Sequence, residues 1–269
     1  MDISDAVILG LVQGLTEFLP ISSAGHLVLA TTFFSIEPTT ALAFAAFLYF
    51  GSAIALILYF WTDLFVLVQT MLRKLSRLPV NERESTLCAA LAVGTVPGVV
   101  IGIISDQFFN KELQSIGFIA LMLISASVFF MYVEWRYYGQ PEHGVVTLKK
   151  GWIIGLFQAL AILPGFSRTG STIAGGMLLG LSRYEAARFS FLLALPIMLG
   201  LGCQKFIQLL KTDMPVEWTP VIVGVATASI TSLIIIHLFL TFIKKHTLWP
   251  FIWYGVVLAV LLGYVSVFT

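Results

Sequence analysis

The fold is decided by the stretch Gly10–His26, GLVQGLTEFLPISSAGH, and by a second stretch with the same order of features, Gly155–Thr172, GLFQALAILPGFSRTGST. Each begins as an apolar helix too short to cross a bilayer and then breaks at a proline into a turn rich in glycine and serine. Shifting the first stretch by 145 positions aligns identical residues, although the prolines miss by one position: Gly10 on Gly155, Gln13 on Gln158, Leu15 on Leu160, Ser22 on Ser167 and Gly25 on Gly170. We interpret the two stretches as broken helices that meet inside a membrane.

The composition is that of an integral membrane protein. Of the 269 residues, 58% are hydrophobic and 11% are charged, and the mean hydropathy is +0.96, whereas a soluble domain has about 25% charged residues. The net charge of +1 argues against a nucleic-acid partner. Cys88 and Cys203 both fall in apolar runs and indicate neither a disulfide framework nor a zinc site. The acidic start, Met1–Asp5, does not resemble a signal peptide, so we expect no cleaved leader.

The apolar pattern predicts an all-α, polytopic membrane protein of about six transmembrane helices and two re-entrant helical hairpins. The two short runs are Ala6–Phe18 and Trp152–Leu163, and a glycine-rich helix is predicted at Thr172–Leu181. The full-length spans are predicted near Thr40–Trp61, Thr86–Gln107, Gln114–Trp135, Phe189–Leu210, Trp218–Ile243 and Trp249–Phe268. We treat residues 1–269 as one membrane domain, with repeat halves of approximately 1–147 and 148–269.

Orientation is predicted from the basic residues, which collect on the cytoplasmic side of membrane proteins. If Thr62–Ser85 is a cytoplasmic loop, alternation of the spans puts most of the 15 lysines and arginines on that side: Arg73, Lys74, Arg77, Arg83, Arg136, Lys149, Lys150, Arg183, Arg188, Lys244 and Lys245. Three crossings separate the two broken helices, so the second is inserted upside down relative to the first. Inverted repeats of this kind place their site near the membrane midplane.

Glu17, His26 and Arg168 lie within or beside the short apolar runs, where an ionisable group is costly and by default marks a functional site. Glu17 and Arg168 could form a purely architectural ion pair between the two hairpins. The hydroxyl groups around them exceed what such a pair needs, which favours a functional site: Ser22, Ser23, Ser167, Ser171 and Thr172.

The turn around Arg168, PGFSRTGST, favours binding of a phosphate. A glycine-flanked turn that opens a helix offers backbone N–H groups and a positive dipole end to an anion, and a guanidinium can hold phosphate bidentately. We therefore predict phosphate contacts from this turn and from the other hairpin: Arg168, Ser167, Gly170, Ser171, Thr172 and Ser22. The spacing resembles a P-loop, but Ser171 stands where the lysine should be and no strand precedes it, which excludes nucleotide binding.

Glu17 and Gln13 lie one helical turn apart and offer oxygen ligands that suit Mg²⁺ or Ca²⁺, with a diphosphate completing the coordination. Alternatively, Glu17 is a general base. Ser23 and His26 are three residues apart, which on a helical turn brings a nucleophile and a proton acceptor or donor onto one face. One of Ser22 and Ser23 is also expected to cap the helix after Pro20.

The strings QGLTEFLPISSAGH and PGFSRTGST, followed by GGMLLGLSRYEAARFSFLLALP, resemble the undecaprenyl-diphosphate phosphatase family, also called bacitracin-resistance proteins. The resemblance covers nearly the whole chain in length and segment order. It implies hydrolysis of undecaprenyl diphosphate to undecaprenyl phosphate, which recycles the lipid carrier of cell-wall synthesis. It also implies a divalent cation, an inner-membrane location, an active site facing the outer side and inverted repeats with re-entrant helices, and it is compatible with a homodimer.

By this resemblance Gln13 and Glu17 match the family's Glu/Gln-x-x-x-Glu pair, Ser23 the proposed nucleophile and His26 the motif histidine. Arg168 matches the phosphate-binding arginine, with Ser167 and Thr172 beside it. The chain departs from the family pattern at four positions. Gln13 is neutral where many members have glutamate, Ala24 replaces a common threonine, and Ala45 and Tyr49 replace expected polar residues.

Several alternatives stay open at this stage. Serine attack through a phosphoseryl intermediate competes with direct attack by metal-bound water. A transporter or lipid flippase would share the inverted repeats and the anion-binding arginine. A membrane scaffold would use the buried polar contacts without catalysing hydrolysis. The type-2 phosphatidic acid phosphatase superfamily is excluded, because neither its Lys-x6-Arg-Pro string nor its His-x3-Asp string occurs here.

Overall fold

A computed structural model of the chain describes residues 2–34, 36, 38–108, 115–138, 144–210 and 217–268, and the regular structure in these ranges is helical. In chain order the helices are α1 (Ile3–Thr16), α2 (Ser23–Phe33), α3 (Pro38–Tyr59), α4 (Trp61–Leu75), α5 (Glu82–Phe108), α6 (Ile116–Tyr137), α7 (Leu148–Phe157), a 3₁₀ turn (Gln158–Ile162), α8 (Arg168–Leu178), α9 (Arg183–Leu210), α10 (Trp218–Ile243) and α11 (Trp249–Phe268).

The predicted spans coincide with long helices, apart from Gln114, which lies outside the described residues. Within the described ranges, four helices are long and apolar enough to cross a membrane alone, and these are α6, α9, α10 and α11. A further candidate is α3 together with its bent continuation α4. The remaining predicted span coincides with α5, a helix of 27 residues with Pro97 inside it. The chain is therefore an all-α, multi-pass membrane protein.

The prediction of a loop at Thr62–Ser85 was wrong for most of its length, because this segment contains the helix α4. The axis of α4 turns by 81° from that of α3. A search for long apolar runs misses such a helix, since Asp63, Gln69 and Thr70 interrupt its apolar residues. The predicted start of the glycine-rich helix was also late: α8 begins at Arg168, directly after its N-cap Ser167.

The two halves repeat each other in their helix boundaries. Three helices of the first half begin 145 positions before three helices of the second, with starts at Ile3 and Leu148, Ser23 and Arg168, and Pro38 and Arg183. The helices α2 and α8 also have the same length of 11 residues. The spacing found between the two sequence stretches is therefore the spacing of the helices, and α1–α3 correspond to α7–α9.

Helix packing follows the same correspondence, since α1 packs on α10 while its counterpart α7 packs on α5. Both contacts depend on glycine. A Cβ on Gly10 would lie 2.7 Å from the carbonyl oxygen of Gly224, and a Cβ on Gly155 would collide with the carbonyl oxygen of Gly94. Small residues let membrane helices approach closely enough for backbone contact. Each of the two broken helices thus packs closely on a long helix of the opposite half.

A buried ion pair joins α6, α9 and the start of α11. The Arg183 guanidinium donates to both carboxylate oxygens of Glu134, at 2.5 and 3.1 Å. The backbone N–H of Leu248 donates to the same carboxylate at 2.6 Å, and the Glu134 side chain is 1% exposed. A bidentate pair with a further backbone donor holds three segments in one geometry. We interpret this pair as architectural.

Candidate active site

Two interruptions of the helical structure face each other in the protein interior. In the first, the chain leaves α1 at Glu17, passes Pro20 and enters α2 at Ser23. In the second, it passes Pro164 and Gly165 before α8. Gly165 has a φ of +104°, and a Cβ there would lie 2.8 Å from the carbonyl oxygen of Ile119. The turn therefore requires glycine for both conformation and space.

The two N-cap serines bind the opposite hairpins to each other. The Ser22 hydroxyl accepts from the N–H of Gly25 at 3.3 Å and from the N–H of Gly165, across the break, at 3.1 Å. The Ser167 hydroxyl accepts from the N–H of Gly170 at 3.0 Å and donates to the carbonyl of Leu19 at 3.4 Å. The predicted juxtaposition of the two turns is confirmed. Both serines are buried, and each hydroxyl is bound to backbone groups of both hairpins.

The carboxylate of Glu17 is the centre of the site. Its Oε1 accepts a hydrogen bond from the Arg168 guanidinium in a short ion pair. Its Oε2 accepts from the Ser23 hydroxyl at 2.5 Å and from the Gln13 amide at 3.0 Å. The Glu17 side chain is 3% exposed and that of Arg168 is 15% exposed. The structure thus brings four predicted site residues into direct contact around one buried charge.

Ser23 and Arg168 reach Glu17 from equivalent positions in the two halves. Each is the first residue of its helix, α2 or α8, and each follows an N-cap serine. Both helices therefore begin beside the same carboxylate, and the positive end of a helix dipole stabilises negative charge near its N-terminus. A phosphate brought to this position would meet the same two helix ends.

Gln13 extends the polar centre toward α3 and α10. Its amide nitrogen lies 3.4 Å from the Ser52 hydroxyl, which lies 3.1 Å from that of Ser232. Its carbonyl oxygen Oε1 is buried and has no hydrogen-bond partner among the described residues. A buried, unsatisfied oxygen next to a carboxylate fits a hard cation. The described residues contain no group of three or more His, Cys, Asp or Glu side chains arranged for a metal, so such a cation would need substrate oxygens as well.

His26 is held by two contacts that do not involve Ser23. Its Nδ1 lies 2.7 Å from the carbonyl oxygen of Ser22, and its Nε2 lies 2.7 Å from the hydroxyl of Tyr254 on α11. The two rings stack with an interplanar angle of 14°. Because a carbonyl only accepts, Nδ1 carries the hydrogen, and Nε2 of the neutral ring accepts from Tyr254.

The predicted direct pair of Ser23 and His26 is replaced by a pair of Ser23 and Glu17. Both residues lie near the start of α2, as their spacing predicts, but the Glu17 carboxylate lies within hydrogen-bonding distance of the serine hydroxyl. The position of Glu17 at the end of α1 decides this, because the chain folds back on itself at Pro20. A role of His26 in the reaction stays a prediction.

Three residues predicted to contact phosphate form hydrogen bonds within the protein instead of contacting Glu17. The N–H of Gly170 and the hydroxyl of Ser171 both donate to Ser167. The Thr172 hydroxyl lies 2.5 Å from that of Ser190 on α9. All three are buried, and these bonds fasten α8 to its own cap and to α9. Their contact with phosphate stays a prediction.

Two tyrosines complete the site that the sequence motifs outline. Tyr49 on α3 lies close to the side chains of Ser23, Glu17 and Arg168. The sequence signal for it was only a departure from an expected polar residue. Tyr254 lies 228 positions from His26 along the chain, and no motif links the two. Tyr254 is 43% exposed, and Ser23 and Arg168 are partly exposed.

The fold and the site define a class of protein: an all-α membrane protein of two repeated halves whose broken helices enclose a carboxylate, a hydroxyl and a guanidinium. The family model described as bacitracin resistance protein BacA matches residues 6–261, and the chain belongs to this family. It is similar to proteins named undecaprenyl-diphosphatase. The Trichlorobacter lovleyi protein is 40% identical over 260 residues, covering 95% of this chain and 94% of that one. The Geotalea daltonii protein is 37% identical over 263 residues, with 97% of each chain covered. The Enterococcus faecalis protein is 33% identical over 267 residues, with 97% and 96% covered.

Proposed function

We propose that this protein is an undecaprenyl-diphosphate phosphatase, which hydrolyses the terminal phosphate of undecaprenyl diphosphate to give undecaprenyl phosphate and inorganic phosphate. The reaction recycles the lipid carrier of cell-wall synthesis and confers resistance to bacitracin. The observation that carries the proposal is the Glu17 carboxylate, which binds the hydroxyl of Ser23 and the guanidinium of Arg168 together. A nucleophile, its base and an anion-binding group are the parts that phosphoryl transfer requires.

Arg168 supplies the binding step. Its Nη2 donates to Glu17 and its Nη1 lies 3.4 Å from the carbonyl oxygen of Ala194. A guanidinium has five N–H donors, so donors remain for the oxygens of a diphosphate. The bound phosphate competes with Glu17 for the guanidinium, and loss of that contact makes the carboxylate a stronger base for Ser23.

Ser23 is the proposed nucleophile and Glu17 the proposed base. The Ser23 proton passes to Glu17 while Oγ bonds to the terminal phosphorus. The bond from that phosphorus to the bridging oxygen breaks, and Glu17 returns the proton to the departing undecaprenyl phosphate. Glu17 then takes a proton from a water molecule that attacks the phosphoserine, and Ser23 regains a proton as inorganic phosphate leaves. Direct attack by a water molecule activated by Glu17 is the competing route, and trapping of labelled phosphate on the protein distinguishes the two.

A divalent cation, Mg²⁺ or Ca²⁺, is proposed to enter with the diphosphate. Glu17 and the unsatisfied Oε1 of Gln13 would hold it together with substrate oxygens. When bound, the cation would neutralise part of the negative charge of the diphosphate. Around it, Arg168 orients the terminal phosphate and the buried surroundings exclude bulk water from Glu17.

We propose the bacterial inner membrane as the location, with the site open to the outer side. The asymmetric distribution of the basic residues supports this orientation, and undecaprenyl diphosphate and the bilayer are the proposed partners. A homodimer is also proposed, and cross-linking in membranes tests it. Labelling of Ala24→Cys, at an exposed position beside Ser23, by a membrane-impermeant maleimide added outside intact spheroplasts tests the orientation.

Release of phosphate from undecaprenyl diphosphate by the detergent-solubilised protein tests the function directly. Detergent removes the two compartments that a transporter or flippase needs, so turnover under these conditions is hydrolysis. We expect phosphate release by the wild type and its loss in Glu17→Gln. Release that is equal in the two proteins would contradict the proposed site, and no release by a folded wild type with added Mg²⁺ or Ca²⁺ would contradict the proposed activity.

A further inference from the structure

The helix α4 (Trp61–Leu75) has one side that no described part of the chain covers. Six apolar side chains on it, Met71 among them, are each more than half exposed, and the other five recur every three or four residues: Trp61, Phe65, Val68, Leu72 and Leu75. Residues with this spacing lie on one face of a helix. We call these five residues the α4 apolar stripe. A contiguous exposed stripe of this size on a single helix marks an interaction surface.

A different side of α4 is fastened to the protein. Leu67 and Thr70 are buried, and the Thr70 hydroxyl donates to Glu84 at 3.0 Å. Asp63 forms a short ion pair with Arg188 on α9. At 100° of rotation per residue, these attached positions lie about 120–180° around the helix from the centre of the stripe. The stripe is therefore not the side by which α4 packs on its own chain.

The geometry of α4 sets its position relative to the bilayer. Although α3 and α4 together form one candidate span, α3 is 22 residues long, and about 33 Å at 1.5 Å per residue is a full crossing without α4. α4 begins two residues after α3 ends and turns by 81° from it. A helix that leaves a complete span at nearly a right angle lies in the plane of the membrane surface. Two apolar residues on the last turns of α3, Ile54 and Leu58, are also exposed.

The charges at the end of α4 complement an anionic surface. Arg73 and Lys74 lie in the last turn of the helix, Arg77 follows it, and all three are exposed. Basic residues beside an interfacial apolar face attract anionic headgroups. We propose that α4 is a membrane-surface anchor: its apolar stripe lies in the boundary between headgroups and acyl chains, and Arg73, Lys74 and Arg77 bind anionic lipid headgroups of the same leaflet. This inference does not depend on the proposed phosphatase activity.

Neighbouring cysteine substitutions test where the stripe lies. Val68→Cys is on the stripe, and Gln69→Cys is one residue later but about 100° around the helix. Each is made in a Cys88→Ser, Cys203→Ser background, labelled with an environment-sensitive fluorophore, and reconstituted as the full chain in vesicles of phosphatidylcholine and phosphatidylglycerol. We expect the label at position 68 to be quenched several-fold more by nitroxide-labelled acyl chains, and the label at 69 to be quenched more by iodide. Equal quenching at the two positions, or a label at 68 that both quenchers fail to reach because a second copy covers it, would overturn the proposal.

The lipid-charge component is tested by removing the basic residues. The variant Arg73→Gln, Lys74→Gln, Arg77→Gln is compared with a variant that loses the same charge elsewhere, Arg136→Gln, Lys149→Gln, Lys245→Gln. Association of spin-labelled phosphatidylglycerol with the reconstituted protein is measured relative to phosphatidylcholine. An interfacial basic residue contributes about a fivefold change in association, so we expect a loss of about tenfold or more in the first variant and a smaller loss in the second. Equal losses would show a general charge effect and overturn the headgroup site.

Discussion

Ser23 and Arg168 lie 145 positions apart in the chain and donate hydrogen bonds to the two oxygens of one carboxylate, that of Glu17. Each begins the second helix of a broken pair in its own half. A repeated architecture has therefore placed different chemistry at equivalent positions: a hydroxyl in one half and a guanidinium in the other. The asymmetry of these side chains within a symmetric backbone is what makes a reaction site out of an internal repeat.

Arg168→Lys should lower kcat/KM for undecaprenyl diphosphate by about 10²–10³-fold, because lysine keeps the charge and loses the planar, multidentate donor set. Phosphate release measured at equal folded protein checks this. Arg183→Lys is the matched control, since its ion pair with Glu134 lies in an architectural contact. We expect that control to lower thermal stability more than turnover. A loss of turnover as large in Arg183→Lys would contradict the distinction between the two ion pairs.

Ser23→Ala should abolish accumulation of a covalent phosphoenzyme and lower kcat by at least about 10³-fold if serine is the nucleophile. Ser22→Ala removes the neighbouring hydroxyl, which caps α2 and binds the opposite hairpin. That change should cost about 1–2 kcal/mol of stability and leave the phosphoenzyme intact. The readouts are gel autoradiography with terminally labelled substrate and thermal unfolding. Turnover of Ser23→Ala near the wild-type rate would establish water attack instead.

Tyr254→Phe should lower kcat by about tenfold with little change in KM, because the hydroxyl that holds Nε2 of His26 is lost while the phosphate-binding group is untouched. The kcat profile against pH should change its shape, since the imidazole exchanges its tyrosine partner for water. Tyr132→Phe, at an exposed position on α6, serves as the control and should behave as the wild type. An unchanged kcat and pH profile in Tyr254→Phe would exclude a positioning role.

Gly165→Ala should lower stability by about 1–3 kcal/mol, because its φ of +104° disfavours a side chain and the added Cβ would approach the carbonyl oxygen of Ile119. Gly263→Ala, in α11, has nothing within 4 Å of the added Cβ and should be neutral or slightly stabilising. Thermal unfolding in one detergent compares the two. Equal effects would mean that the turn at Gly165 is less constrained than its geometry indicates.

Gln13→Glu should lower the concentration of Mg²⁺ or Ca²⁺ needed for half-maximal phosphate release, because a second carboxylate beside Glu17 binds a hard cation more strongly than an amide. Titration after treatment with a chelator measures this concentration. Gln158→Glu, at the equivalent position of the other half, is the control, since the Gln158 amide donates to the carbonyl of Gly94 away from Glu17. An identical metal requirement in wild type and Gln13→Glu would contradict a cation at this position.

Local properties of the sequence are enough to predict the class of fold and the residues at its centre. Apolar runs long enough to span, two runs that are too short, and prolines that end them predict spans and broken helices from local properties alone. The cost of a charge at membrane depth singles out Glu17 and Arg168 without any contact being known. The offset of 145 positions can be recognised in the sequence because three helices of the second half each begin 145 positions after their counterparts in the first half.

The hydrogen-bond partner of each site residue depends instead on how the helices pack. The hydroxyl of Ser23 bonds to Glu17 because the chain turns back between α1 and α2. His26 contacts Tyr254 because tertiary packing brings α11, from the far end of the chain, beside α2. The orientation of α4 likewise follows from its attachment to α5 and α9. Periodicity specifies which face of a helix is apolar, but the position of that face depends on helix packing, which joins residues that no local pattern connects.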